Sequence, residues 1–397
     1  MFHAHKRAKD ENLSSPFLQE AKKKHRAVIR HARYEAEICQ NENIFSILSS
    51  NPSSAFKAIK SSKSSNTPQV PYIKVGPKTY HGERVIDGLF ESISNLKMMD
   101  LDQLKTSPHH ESLMQDYQTI KFLCSEKIDL PTISLSKSST ILSKIKPGVT
   151  DLFSISANHY IHAGSAGLVH FNLLLNAFIA DVNNSTIEEL NSVLALLLYK
   201  GHKKDRTLDT SYRTISTCPL VAKGLDIYVR ELAIEKWNNM QADTQYQGDG
   251  SSHELASLLV TEAIQHSRYH SHQPIFLLFL DAMSAFDIVN IPYIVRGLYQ
   301  SGMECQSVMY MENRLANRIT YCEYNKVLVG PIYDEQGLEQ GGVSSSDCYK
   351  LYNNELLNIS QQSCLGVDIG GQLVVSAVGH ADDMVMMTSS LARLKHL

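Results

Sequence analysis

The 397 residues are 43% hydrophobic and 20% charged, a globular composition with apolar mass for a core and no case for global disorder. No apolar run approaches the ~18 residues a spanning helix needs, and the start MFHAHKRAKDEN has no apolar segment behind its charges. A membrane or secreted protein is therefore excluded, and the expectation is an intracellular chain, nuclear or cytoplasmic. The seven cysteines, at 39, 124, 218, 305, 322, 348 and 364, form no CxxC pair and are odd in number. That argues against a disulfide framework or a zinc ribbon and for a reducing setting. The net charge of −3 hides an asymmetry, because residues 1–63 carry twelve Lys/Arg against six Asp/Glu. A basic arm on an acidic body suits either a polyanion partner or a solvated leader.

In chain order, 17–40 reads as a basic helix, and the Ser-rich, Pro-flanked stretch 61–71 reads as a linker. Residues 82–97, GERVIDGLFESISNLK, have the pattern of a short amphipathic helix. From 100 to 140 the pattern is weak and polar, and places no element firmly. STIEELNSVLALLLYK (185–200) predicts a helix, with Ser185 and Glu188 at capping-box spacing and Gly201 at the stop. A further helix is expected over 253–267. The run IFLLFLD (275–281) is too short and too uniformly apolar for a surface helix, so it predicts a fully buried strand. A helix near 291–301, a strand–turn–strand over 321–342 and a helix over 346–361 follow. Residues 373–389, LVVSAVGHADDMVMMTS, predict a hairpin of two buried strands with carboxylates at the tip. Strands separated by helices put the chain in the α/β (α+β) class.

Asp281 ends one apolar strand, and Asp382 and Asp383 sit at the turn between two others. Each alone is an ordinary turn residue. An ionised carboxylate at the edge of a dry strand layer, however, is costly without a cation or hydrogen bonds. The three together suit a shared Mg²⁺ site, since hard cations take oxygen ligands. Two such ions can activate a hydroxyl and stabilise a leaving pyrophosphate. The expectation is that Asp281 and Asp382 face each other across adjacent strands, with carboxyl groups within about 4–7 Å.

Three blocks carry a resemblance. LDAMSAFDIVNI (280–291) resembles the reverse-transcriptase block DxxxAFDxV, GLEQGGVSSSDCYKLYNNEL (337–356) the QGxxxSP block, and GHADDMVMM (379–387) the x-DD block, with His380 at its aromatic position. They stand in the family's order and look most like non-LTR (LINE-type) retrotransposon reverse transcriptases. Weaker likenesses lie at 146–156, 198–216 and 246–255. The chain departs from the family pattern at Leu152, Thr214, Gln247–Gly248 and Ser346.

The resemblance implies a right-hand polymerase with fingers and palm. It implies catalytic and metal-holding roles for Asp281, Asp382 and Asp383, with two Mg²⁺ ions, Mn²⁺ being possible. Phe286 would be the steric gate under the incoming sugar. Gln340 and Gly341 would line the nucleotide and template site, and Arg213 and Lys200 would neutralise the triphosphate. Partners would be an RNA template, a DNA primer and deoxynucleoside triphosphates (dNTPs), with no membrane and no defined oligomeric state. The expected division is a basic helical linker region over 1–66, a variable helical region over 67–135, and a truncated fingers–palm over 136–397. The chain runs only 14 residues past Asp383, so a fragment lacking the thumb is expected. The activity implied is RNA-directed DNA polymerisation. Two other readings stay open: an inactive relic that only binds nucleic acid, and a two-metal phosphohydrolase using the same aspartates.

Overall fold

The computed structural model describes residues 70–99, 109–125, 130–180, 188–201, 204–247, 252–370 and 373–395. The basic helix expected at 17–40, and the linker as far as 69, lie outside these residues. The described part falls within one compact unit, Val70–Leu397.

The unit begins with a two-stranded ribbon, β1 (Tyr72–Val75) and β2 (Lys78–His81), and a helix, α1 (Val85–Lys97). This helix matches the amphipathic pattern read from the sequence, and it buries Val85, Ile86, Leu89 and Ile93 along one face. A helical layer follows: α2 (His110–Leu123), α3 (Leu135–Lys144), α4 (Ala157–His162) and α5 (Gly164–Ile179). The first two occupy the stretch whose polar pattern placed nothing. Along α2 only Leu113 and Ile120 are buried, too sparse a stripe to be read as a period.

Next come a single turn, α6 (Glu188–Asn191), and strand β3 (Ser192–Tyr199). This corrects the helix expected over 185–200. The run SVLALLLY has no polar face, and tertiary pairing overrides leucine's helix propensity. The strand lies between β4 (Tyr212–Thr217), antiparallel, and β6 (Ile319–Tyr324), parallel. With β7 (Val327–Tyr333) they form a four-stranded sheet in the order β4-β3-β6-β7. The β6–β7 turn, Asn325–Lys326, has both φ values positive, as a two-residue hairpin of this kind needs.

The core is built around α7 (Leu220–Met240), where Leu225, Val229 and Trp237 meet Phe171 and Leu175 of α5. The same cluster takes in Ile294 and Leu298 of α9 (Ile291–Gln300) and Val308 and Met311 of α10 (Cys305–Ala316). Helix α8 (His253–His266) precedes β5 (Phe276–Asp281), and α11 (Ser345–Gln362) follows β7. A short ribbon, β8 (Val367–Asp368) with β9 (Val374–Val375), leads into the hairpin β10 (Ala377–His380) and β11 (Asp383–Thr388), and α12 (Leu391–Leu394) comes last. No described helix is long and apolar enough to cross a membrane.

The second sheet has the order β10-β11-β5. In the central strand β11, Met384 and Met386 pack with Leu357 of α11, while Val385 and Met387 pack with Ala256 and Ala263 of α8. That alternation is the period-2 signature of a strand covered on both faces. Strand β5 differs from expectation. Among the described residues it is an edge strand, and Phe279 is 72% exposed and Leu278 39%. Uniform apolarity identified the strand but could not tell an edge from a centre, because its two faces read alike.

Candidate active site

The two sheets each bring one set of residues. In the three-stranded sheet the ladder pairs Asp383 with Asp281, and His380 with Asp383. Directly opposed residues of an antiparallel pair project to the same face. Asp281 and Asp383 therefore share one rung at the end of the sheet, and both are exposed. Asp382 stands in the turn beside Ala381, whose φ is +59°. The expected partner of Asp281 was Asp382. Asp383 takes that place because the turn uses up Ala381 and Asp382, so the returning strand starts one residue later.

The turn is fixed from two sides. The Ala381 amide donates to Gln245 Oε1 at 3.2 Å, and Asn353 Nδ2 donates to the Ala381 carbonyl at 3.0 Å. One helical turn before Asn353, Tyr349 stacks on Phe286 with ring centroids 4.9 Å apart and planes inclined by 24°. Burial pushes the Tyr349 phenol up. A hydrogen bond with Asn353 opposes this, and the charge of Asp382 adds to it. Phe286, Tyr349 and Asp382 thus form one corner. Asp281, Asp382 and Asp383 form no ion pair with any described residue.

Among the described residues, no group of three or more His, Cys, Asp or Glu side chains is arranged to hold a metal unaided. The donor chemistry still fits a hard cation. Mg²⁺ is typically held by one or two carboxylates plus substrate phosphates and waters. Two carboxylates on one rung, with a third in the adjacent turn, supply that number.

The second set lies on the four-stranded sheet. Arg213 is the ladder partner of Leu198 and is exposed. Lys200 follows the end of β3, so it is a strand-end and not a helix-end lysine, and its ammonium donates to the Thr210 carbonyl at 2.8 Å. Its pKa is lowered, first by burial of the ammonium and then by the like charges of Lys204 and Arg213, against which Asp287 and Asp209 act.

Gln340 and Gly341 reach this sheet through the loop after β7. The Ser216 amide of β4 donates to the Gln340 carbonyl at 2.8 Å. Gly341 has φ +106°, and a Cβ there would lie 3.2 Å from the Ser216 carbonyl oxygen, so glycine answers both the turn and the close approach. The two sets are tied by backbone. The Leu338 amide donates to the Phe286 carbonyl at 2.6 Å and the Gly337 amide to the Val289 carbonyl at 2.7 Å. Beneath Gln340, Glu339 is buried and accepts from Arg314 Nη2 at 3.2 Å, while Arg314 also reaches Asp226 at 3.4 Å.

Sequence reasoning missed Gln245, Tyr349, Asn353, Arg314 and Glu339. The one usable signal was in α10, where Glu312 and Arg314 share the buried face with Val308 and Met311. A charge on an apolar stripe implies a buried partner. The block expected at 246–255 is described only in part, residues 248–251 lying outside.

No curated protein matches this sequence. Residues 202–397 match the family model of the reverse transcriptase (RNA-dependent DNA polymerase), a stretch that takes in Arg213, Asp281, Phe286, Gln340, Gly341, Asp382 and Asp383 and leaves Lys200 just outside.

Proposed function

We propose that this chain is an RNA-directed DNA polymerase of the non-LTR retrotransposon type, transferring a nucleotidyl group from a dNTP to a primer 3′-hydroxyl on an RNA template. The observation that carries this reading is the corner itself. Asp281 and Asp383 share one rung, Asp382 stands in the turn, and the Phe286–Tyr349 stack lies beside them. The three-stranded sheet then serves as the palm, and the four-stranded sheet with its cations as part of the fingers.

In this reading Asp281, Asp382 and Asp383 would hold Mg²⁺ together with the substrate phosphates, and the metal supplies positive charge at the reacting phosphoryl group and acidifies the attacking hydroxyl. The chain's own residues do the rest. Lys200, Lys204 and Arg213 offset the triphosphate charge, the guanidinium with forked donors suited to phosphate oxygens. Phe286, backed by Tyr349, offers a flat wall against which a deoxyribose fits and a 2′-hydroxyl collides. The Gln340–Gly341 backbone, fixed to β4 through Ser216, borders the base and template side. Holding the reactants in line is worth several kcal/mol of barrier, so the rigidity of these attachments is itself part of catalysis.

Primer extension tests the reading, using the 397-residue chain, an RNA template, a DNA primer, dNTPs and Mg²⁺. Template-directed extension that is lost in Asp382→Asn is the expected result. Extension unaffected by that substitution would overturn the site assignment. Salt-sensitive binding without any extension would favour a relic that only binds nucleic acid.

A further inference from the structure

The loop that carries Phe286 rests on a charge layer one member of which comes from α1, far outside the matched stretch. Lys97 is the last residue of that helix, and its side chain is only 5% exposed. Its ammonium lies 3.4 Å from Asp287 Oδ1 and 3.6 Å from Asp334 Oδ2. Asp334 is fully buried and also accepts from Arg318 Nε at 2.6 Å. Arg318 Nη2 in turn donates to the carbonyls of Gln336 at 3.2 Å and Gly337 at 2.9 Å. Two cations thus face two carboxylates. Arg318 Nη1 and Asp334 Oδ1 are buried without a hydrogen-bond partner, so nothing is in reserve if one charge is lost.

The helix end is stitched to the same segment. Glu335 donates its amide to the Lys97 carbonyl at 3.0 Å, Gln336 Nε2 donates to the carbonyls of Leu96 and Met98 at 2.9 and 3.0 Å, and the Met99 amide donates to Glu335 Oε2 at 2.8 Å. Segment 334–338 then grips the loop through the Gly337 and Leu338 amides. Gly337 has φ +93°, and a Cβ on it would meet the Asp287 carbonyl oxygen at 2.5 Å, so the two backbones lie in direct contact.

We propose that Lys97 is a positioning residue for the loop bearing Phe286, holding Asp287 against the buried layer. Asp287 is the loop's own carboxylate in that layer, and Lys97 is the cation it meets. Without Lys97, Asp287 would face the carboxylate of Asp334 with its cation gone. It would swing out of the layer and carry the neighbouring Phe286 with it. The role given to Phe286 rests on the polymerase reading. The pinning of Asp287 does not, and the experiment separates the two.

Lys97→Met, Asp287→Asn and the double variant are compared with the unaltered full chain by amide hydrogen exchange. Amides 285–289 should exchange roughly tenfold faster in each single variant, with α7 unchanged. The double should be no faster than the faster single, because one interaction is lost once. Primer extension is the second arm. Lys97→Met should raise the dNTP KM several-fold with little change in kcat, and should lower discrimination against ribonucleotides, a split that general destabilisation would not give. Unchanged exchange at 285–289, or additive effects in the double, overturns the pin. If Lys97→Met does not fold, Asp287→Asn alone decides the pin, and unchanged exchange at 285–289 in that variant overturns it. If the unaltered chain extends no primer, the polymerase reading fails while the exchange arm still decides the pin.

Discussion

Two groups of carboxylates in this molecule are treated in opposite ways. At the open end of the three-stranded sheet, Asp281, Asp382 and Asp383 have no ion-pair partner among the described residues. In the interior, Asp226, Asp334, Glu339 and Asp347 each meet an arginine or lysine. Burial explains the pairing of the second group, since an unpaired charge in a dry layer costs several kcal/mol. It does not explain the crowding of the first, where like charges on one rung disfavour the folded state. The lower layer is scaffold. In the polymerase reading proposed above, the upper group is left to hold a cation from outside the chain.

That contrast predicts opposite responses to substitution. The largest effect is expected for Asp382→Asn, which should reduce primer extension by more than ~100-fold, beyond the loss typical of an outer-shell change. Its melting temperature should stay level or rise slightly, because a repulsion is removed. A cooperative melt paired with an extension assay checks both halves. Arg318→Met should behave in the reverse sense. Removing the nearer of the two cations that Asp334 meets should cost about 3–5 kcal/mol in denaturant unfolding, and any loss of extension should follow loss of folded protein. A stable Arg318→Met chain would erase the distinction between scaffold and site.

A smaller effect sharpens the boundary between the two. Gly341 lies in the loop after β7 with φ +106°. An alanine there is strained by roughly 1–2 kcal/mol. Gly341→Ala should therefore lower both stability and extension, the latter through a raised dNTP KM in steady-state assays. The smallest effect lies far from the site, in the bridge from α3 to α7. Burial alone would raise the pKa of Glu231, but Lys137 and Lys144 outweigh it and hold the carboxyl below its usual range. A lowered folded pKa gives stability that is complete above the unfolded value of about 4.5 and fades as pH falls through the folded one. Glu231→Gln should cost at most about 1 kcal/mol at pH 7, as exposed pairs do. Unfolding curves of the two proteins should converge once the pH has fallen through the lowered Glu231 pKa.

The sequence made the upper group legible and the lower one nearly invisible, for a physical reason. Asp281, Asp382 and Asp383 each follow or join a compact apolar strand, so chemistry and local pattern coincide in a few residues. Helices α8, α9 and α11 and the two hairpins were readable in the same way. The scaffold pairs join residues distant in the chain, such as Lys97 with Asp287 and Arg314 with Asp226, and no local pattern marks either partner. The misplaced helix at 185–200 has a related cause. SVLALLLY suits either state by composition, and only pairing with β4 and β6 decides it. The exposure of Phe279 was hidden likewise, because edge and centre are properties of the sheet and not of the run.

The most direct test of the contrast is divalent-cation binding followed by the electron paramagnetic resonance of Mn²⁺, used in place of Mg²⁺. The full chain would be titrated with and without a dNTP. Binding strengthened by the dNTP, lost in Asp281→Asn and Asp382→Asn and retained in Glu339→Gln, is the predicted result. Binding that survives both aspartate substitutions, or that disappears equally with Glu339→Gln, would contradict the division into an open cation site and a paired scaffold.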